Sequence, residues 1–413
     1  MTTPKVCIFT ETYYPVVGGG ETQARLLAEG LAAEGTAVII LTRRSDASLP
    51  KVEHFGAVTV YRLPPVGRGQ LKKWGLLFSS APRLIQLRRQ YDLIFVSGFR
   101  IVGVTAVLIG KLLGKTVVLK ADSQGEMSGE FFTAGLSKRR LSPTSLPFTL
   151  FLRGRNAILK RADAFTAITR ETAVEMANAG IQPDVIHMIP NSVDTGRFFP
   201  VDAQQKAHLR RELGLPPDGK FVIYTGRLVS YKGLPLLLKV WQEIQRQHQD
   251  AKLLLVGTGG LDIHNCEADL QEFVSATGLQ ESVIFTGSVQ NVPDYLQASD
   301  IFVLPTEDDA FPSSLIEAMT CRLAAISTPV GAISTIIKNE QNGLLVQPGD
   351  FQQLYATLDR LLTDAGLAAR LGQAGWQTVQ ERYTADIVNR QYRELFCEAT
   401  RPLPEQTSQV ELR

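Results

Sequence analysis

Short apolar runs alternate with longer amphipathic stretches along almost the whole of this chain, and they do so in two successive series. Nothing else in the sequence constrains its fold as tightly. Lys5–Thr10, Ala37–Thr42, Val58–Leu63, Leu93–Val96, Thr116–Lys120, Ala164–Ile168 and Ile186–Ile189 form the first set of apolar runs. Phe221–Thr225, Lys252–Val256, Val283–Thr286, Ile301–Leu304, Ala324–Ser327 and Gly343–Val346 form the second. Strands separated by helices make βαβ units with a mostly parallel sheet. Between the series, Asn191–Lys220 contains Pro200, a polar helical pattern and Pro216-Pro217-Asp218-Gly219, which reads as the connection. A length of 413 residues suits two such domains. The expectation is an α/β protein of two Rossmann-like doubly wound domains facing across a cleft, the usual ligand position for such sheets. Their bounds are read as 1–198 and 199–382. Residues 383–413 then carry a helix near Tyr383–Tyr392 that crosses back to the first domain, followed by a tail.

Three segments carry chemistry. Gly18-Gly19-Gly20-Glu21 follows the first strand and opens a helix expected from about Glu21. Glycines there let a ligand approach the backbone, and a helix N-terminus offers unpaired N–H groups to an anion. The dinucleotide fingerprint G-x-G-x-x-G fails at Gln23, which disfavours a dehydrogenase. Gly226-Arg227-Leu228-Val229-Ser230-Tyr231-Lys232-Gly233 follows the first strand of the second series, and its two cations can clamp a diphosphate without a metal. Asp309-Ala310-Phe311-Pro312-Ser313-Ser314-Leu315-Ile316-Glu317 follows a later strand, with Ser313 as the expected helix N-cap. A phosphate would meet that helix start, and the Glu317 carboxylate could accept two hydrogen bonds from a ribose diol.

Together with Asn191-Ser192-Val193-Asp194, Val256-Gly257-Thr258-Gly259, Phe285-Thr286-Gly287 and Asn342-Gly343-Leu344-Leu345-Val346, in this order, these segments resemble the retaining GT-B glycosyltransferases of family 4. The resemblance covers residues 5 to about 395. It implies a nucleoside diphosphate sugar as donor, held mainly by the second domain, with the first domain on the acceptor side. Arg227 and Lys232 match the pair that holds the diphosphate, and Glu317 the ribose ligand of the E-x7-E motif. The Phe285-Thr286-Gly287 loop, with Phe285 and Gly287, matches the lining of the base pocket. Phe311, Pro312, Ser313 and Ser314 match the helix entrance, and Gly18, Gly19 and Gly20 the contact near the phosphate and transferred sugar.

The sequence departs from that pattern at four places. Asp309 stands where the first acid is usually Glu, and Ala310 replaces a common Gly. Lys120-Ala121-Asp122-Ser123 replaces a T-x-H-G-like segment, so that Asp122 occupies the His position. Ser192 replaces the Gly before Val-Asp. The implied reaction tolerates these changes: the donor phosphate takes the acceptor proton, Arg227, Lys232 and a helix dipole stabilise the leaving diphosphate, and Asp309 orients sugar hydroxyls. Asp122 contacts the sugar or the acceptor in this reading. The expected activity is that of a metal-independent hexosyltransferase without a cofactor, acting on a glycan or lipid-linked acceptor in polysaccharide, lipopolysaccharide or glycolipid biosynthesis. A nucleotide-sugar epimerase of similar fold and a non-catalytic nucleotide-binding relative are the alternatives.

Charge divides unevenly. Residues 1–200 carry 25 Lys and Arg against 15 Asp and Glu, whereas the remainder carries 18 against 26. Arg68 to Gln90 and Leu136 to Arg161 are basic and free of acids. They interleave Arg68, Lys72, Lys73, Arg83, Arg88 and Arg89 with Leu71, Trp74, Leu76, Leu77 and Phe78, and Lys138, Arg139, Arg140, Arg153, Arg155, Lys160 and Arg161 with Phe148, Leu150, Phe151 and Leu152. Cations beside aromatic rings suit an anionic membrane interface, so peripheral contact with an inner leaflet is expected. Nucleic acid is not, because no reading motif accompanies the charge. Cys7, Cys266, Cys321 and Cys397 are too scattered for a metal or redox motif and fit a reducing, cytoplasmic compartment. No signal-peptide pattern opens the sequence, and Ile101–Gly110 is too short to span a bilayer, which takes ~20 residues.

Overall fold

The structure is a computed structural model. It describes residues 3–16, 18–67, 70–130, 145–260 and 262–401, with the side chains of 70–73 outside that description. Its chain divides into two compact units. The first comprises Met1–Ala167, Thr172–Ile189 and Asn389–Arg413, and the second Ile168–Glu171 and Pro190–Val388.

The first unit holds β1 (Val6–Thr10), β2 (Val38–Arg43), β3 (Val52–Phe55), β4 (Val58–Leu63), β5 (Leu93–Ser97), β6 (Thr116–Ala121), β7 (Ala164–Ala167) and β8 (Ile186–Met188). They lie in the order β3-β4-β2-β1-β5-β6-β7-β8. Every pairing is parallel except β3 with β4. The central strands β1, β2 and β5 are buried at every position, as their continuous apolar runs require of strands covered on both faces. The strand β3 was not among the sequence expectations. Val-Glu-His-Phe alternates exposed with half-buried positions at a sheet edge, so its apolar signal is weak. Gly56, at a φ of 56°, turns it back onto β4. Helix Gly19–Ala33 starts two residues earlier than expected, with Gly18 as its N-cap in extended conformation. The last helix, Ala385–Ala399, brings Tyr392 and Phe396 to within 5.2 and 5.4 Å of the Phe95 ring on β5.

The second unit holds β9 (Phe221–Thr225), β10 (Lys252–Val256), β11 (Val283–Gly287), β12 (Ile301–Leu304), β13 (Ala324–Ser327) and β14 (Leu344–Leu345), all parallel, in the order β11-β10-β9-β12-β13-β14. Helix Leu234–Ile244 buries Leu237, Leu238, Trp241 and Ile244 in the core of this unit. The Asn191–Lys220 segment, expected as the connection with a polar helical stretch, belongs to this unit. Asp202 caps helix Ala203–Glu212 with a full capping box, and buried Arg210 donates to the Ala298 carbonyl at 2.9 Å and to Asp300 at 2.9 Å. Each sheet has one switch point, between β1 and β5 and between β9 and β12, where successive connections leave in opposite directions. In doubly wound sheets such a switch point is where ligands bind, outside the carboxyl ends of the strands. The two units are thus Rossmann-like doubly wound sheets.

Candidate functional site

At the switch point of the second unit, the segments after β9 and β12 come together. Backbone meets backbone there without room for a side chain. A Cβ on Gly257 would lie 1.9 Å from the Gly226 carbonyl oxygen, and one on Gly233 would lie 2.0 Å from that of Pro305. Both glycines also have positive φ, 136° and 74°. Sequence spacing had singled out Lys232 and Asp309 separately. The structure joins them: Lys232 Nζ lies 2.7 Å from Asp309 Oδ2 and donates to the Asp308 carbonyl at 3.0 Å. Both side chains are largely covered, whereas Glu307 and Asp308 are exposed. Asp309 is therefore the acid of this run that faces the cation. Gly331 backs the same loop, since a Cβ on it would lie 2.0 Å from the Asp309 carbonyl oxygen.

Arg227 is also engaged. One guanidinium nitrogen donates to the Tyr231 hydroxyl at 2.7 Å, and another pairs with Asp262. The Tyr224 hydroxyl donates to the Arg227 carbonyl at 2.7 Å, which fixes the backbone beneath it. Asp262 had drawn no attention in the sequence, where it is one polar residue in a loop 35 positions from Arg227.

Helix Ser313–Thr320 begins after Pro312, and Pro312, not Ser313, is its N-cap. Pro312 holds an extended backbone and lacks the N–H that a helix start leaves unpaired, so Ser313 becomes the first helical residue. Phe311 is buried against the Tyr383 ring, with centroids 5.9 Å apart, while Ser313 and Ser314 are half-buried in the first turn. Glu317 follows one turn later. Burial pushes its carboxyl up to about 7, against the opposing pull of Arg197. Phe285 and Gly287 lie at the carboxyl end of β11, and the Gly287 carbonyl accepts from the Gly257 N–H at 3.0 Å. Gly287, at a φ of 69°, has no heavy atom within 4 Å of where a Cβ would stand.

The first unit brings the glycine loop and Asp122 together at its own switch point. A Cβ on Gly20 would lie 3.2 Å from Asp122 Oδ2, and one on Gly98 would lie 3.0 Å from it. Asp122 accepts from buried Lys120 at 2.6 Å and from Ser97 at 3.1 Å. Its own N–H donates to Glu126 at 3.0 Å. Burial pushes the Glu126 carboxyl up to about 7, with Arg100 pulling the other way. Burial disfavours charge on Lys120, but Asp122 leads the groups that outweigh it, and the Lys120 pKa stands above its ordinary value. Gly19 faces open space, whereas Gly18 abuts the Glu21 carboxylate, which accepts from Thr12. The sequence reading passed over Glu126 and Ser97, whose roles depend on chain crossings that no spacing rule predicts.

Helices Gln70–Leu87 and Leu146–Leu159 present Trp74, Phe78, Leu146, Leu150 and Phe151 to solvent, with Phe78 81% exposed. The Trp74 and Phe151 rings meet at 6.2 Å. Arg88, Arg89, Arg153, Lys160 and Arg161 are exposed along the same two segments, and Arg83 stacks over the Tyr61 ring at 4.4 Å. Two residues of the expected basic and apolar face turn inward. Leu76 is buried in the core, and Arg155 donates to the Arg100 carbonyl at 3.2 and 3.1 Å, its pKa pushed down to about 10 by burial. Arg68, Lys138, Arg139 and Arg140, with the side chains of Lys72 and Lys73, lie outside the described residues. Among the described residues, no helix is long and apolar enough to cross a membrane, and no three or more His, Cys, Asp and Glu converge as metal ligands. All four cysteines are free thiols.

A family model described as "Glycosyltransferase Family 4" matches residues 17–197, and one described as "Glycosyl transferases group 1" matches residues 205–378. A D-inositol 3-phosphate glycosyltransferase of Xylanimonas cellulosilytica is 27% identical over 61% of this chain and 60% of its own length. The sucrose-phosphate synthase of Thermosynechococcus elongatus superposes with a TM-score of 0.78 at 24% identity, over 95% of this chain and 100% of that one. HepE of Anabaena, in complex with UDP and glucose, superposes with a TM-score of 0.74 at 18% identity, over 95% and 99%. The superpositions show the GT-B fold, and the two family models, which together cover most of residues 17–378, show that the chain belongs to the glycosyltransferases of the family 4 and group 1 kind.

Proposed function

We propose that this protein transfers a hexose from a nucleoside diphosphate sugar to a glycan or lipid-linked acceptor, with retention of the anomeric configuration, in the biosynthesis of polysaccharide, lipopolysaccharide or glycolipid. The observation that supports the reading is that Arg227 and Lys232 follow β9, and that Lys232 pairs with Asp309 on the segment after β12 that leads into the helix bearing Glu317. Two cations at a helix entrance are what a diphosphate requires, and a half-buried carboxylate behind them suits a ribose diol. That HepE, of the same fold, holds UDP and glucose adds support for this donor class.

In this reading the second unit serves the donor and the first the acceptor. Phe285 and Gly287 line the base pocket, and Phe311, Pro312, Ser313 and Ser314 form the phosphate entrance. As the bond from the anomeric carbon to the diphosphate oxygen breaks, Arg227 and Lys232 take up the developing charge, the part that a divalent cation plays elsewhere. The acceptor oxygen bonds to the anomeric carbon on the same face, and its proton passes to the departing phosphate oxygen. Asp309 orients sugar hydroxyls and holds Lys232 at its post. Gly18, Gly19 and Gly20 admit the transferred sugar to the backbone, and Asp122 contacts the sugar or the acceptor. The enzyme works at the cytoplasmic face of an anionic membrane, which Trp74, Phe78, Leu146, Leu150 and Phe151 enter among the surrounding arginines.

Calorimetric titration with UDP, GDP and ADP, paired with hydrolysis of the corresponding donor sugars, tests the reading. The wild-type protein is expected to bind one of the three. Lys232→Ala is expected to weaken that binding at least ~10-fold and to abolish turnover, the loss of a charge-assisted contact being worth about 1.5–3 kcal/mol. Failure of the wild type to bind any of them overturns the assignment.

A further inference from the structure

We infer that Asp262 is an internal competitor of the donor diphosphate, pairing with the Arg227 guanidinium and thereby setting nucleotide affinity; this rests on the donor reading above. Arg227 has five N–H donors, and the structure already commits part of that fork to the Asp262 carboxylate and part to the Tyr231 hydroxyl. A carboxylate on a guanidinium is the same recognition that a phosphate makes, with a smaller charge.

Asp262 does not reach Arg227 by the accident of a loose surface chain. Its second carboxylate oxygen accepts the His264 N–H at 3.0 Å, which fixes the side chain against its own turn. That turn is stitched to the Arg227 segment by main-chain bonds: Leu228 N–H to the Thr258 carbonyl at 3.1 Å, Ser230 N–H to that of His264 at 2.9 Å, and Cys266 N–H to that of Leu228 at 3.1 Å. Glycine makes the turn possible, since a Cβ on Gly259 would lie 1.8 Å from Asn265 Oδ1. The Tyr231 ring meets the His264 ring edge-on at 5.5 Å, so both partners of Arg227 are braced against the same loop. A diphosphate arriving at Arg227 therefore meets an anion that its own loop holds in place.

Asp262→Asn keeps the size of the side chain and the acceptor for His264 N–H while removing the charge. It is expected to lower the dissociation constant for UDP, or for whichever nucleoside diphosphate the wild type binds, by about two- to fivefold at low salt. The gain should shrink as salt rises. Asp262→Ser, which can still accept from His264 N–H but is too short for Arg227, should reproduce it. In an Arg227→Ala background, which itself weakens binding, Asp262→Asn should bring no gain. Unchanged or weaker binding in both Asp262 variants overturns the inference, as does a gain that persists without Arg227. If the wild type binds no nucleoside diphosphate, the donor reading fails first and this inference goes with it.

Discussion

Glu317 keeps its proton further up the pH scale than an ordinary carboxylic acid, because burial raises its pKa to about 7 while Arg197 only partly opposes the shift. The folded state then holds the proton more tightly than the unfolded chain does. The group's contribution to stability is full below the ordinary carboxylate range and is lost as pH rises through about 7. In the proposed ribose site donor binding runs the other way, since the ionised carboxylate is the stronger acceptor for the two hydroxyls. The KM for the donor sugar is therefore expected to fall as pH is raised through about 7, and a bound donor to pull the Glu317 titration downward. Glu317→Gln should raise KM several-fold and flatten this dependence. A steady-state profile from pH 5.5 to 8.5 reads both, and a pH step that survives in the variant removes Glu317 from the ribose site. Lys232 and Asp309 illustrate a different residue-scale point. Neither is a free group, since each holds the other in place.

At the scale of elements, strand ends and glycines shape the crevice. The segments after β9 and β10 and the end of β11 approach one another at Gly226, Gly257 and Gly287, with Gly226 N–H bonded to the Val256 carbonyl and Gly257 N–H to that of Gly287, both at 3.0 Å. The Gly257 site combines a left-handed φ with a backbone oxygen where a Cβ would stand, and neither can give way cheaply. Gly257→Ala is expected to destabilise the protein by about 2–4 kcal/mol, read by urea unfolding with nucleotide absent. Gly19→Ala is the contrast. Gly19 lies in the first turn of its helix and faces open space, so alanine should leave stability within about 1 kcal/mol of the wild type. Equal stability of the Gly257 variant would mean that the loop relaxes and the close approach is not required.

For the molecule as a whole, the asymmetry between halves is chemical as well as topological. Both sheets are doubly wound, but among the described residues most of the exposed large apolar side chains belong to the first unit. Trp74 and Phe78 on one helix and Leu146, Leu150 and Phe151 on another make an apolar surface whose exposure is otherwise costly. Flotation with vesicles containing anionic lipid should recover the protein, and neutral vesicles should recover much less. Phe78→Asp together with Leu150→Asp should abolish flotation while leaving nucleotide binding intact. Equal, negligible recovery from both kinds of vesicle removes the membrane from the account.

The primary structure by itself determined the class of fold and put the candidate site residues at strand ends. Continuous apolar runs such as Val-Cys-Ile-Phe-Thr and Phe-Val-Ile-Tyr-Thr belong in strands buried on both faces, and the glycine and basic segments behind them fall at strand ends by necessity. Arg227, Lys232, Asp309, Glu317 and Asp122 could be singled out as candidates for that reason, because residue type and adjacency to a strand are local properties. Pairing was not. Which acid of the Glu307–Asp309 run faces Lys232, that Asp262 occupies Arg227, that Glu126 supports Asp122, and that Arg155 turns inward are all consequences of strand order and of loops crossing between strands. The edge strand β3 escaped for a related cause, since half-exposed positions carry little apolar signal until a partner strand exists. Burial, too, appears only once the elements are packed, and burial is what moves Glu317 and Glu126 toward neutral pH. Hydrophobic periodicity is written along the chain, whereas electrostatic partnership depends on distance in space, and only the tertiary structure sets that distance.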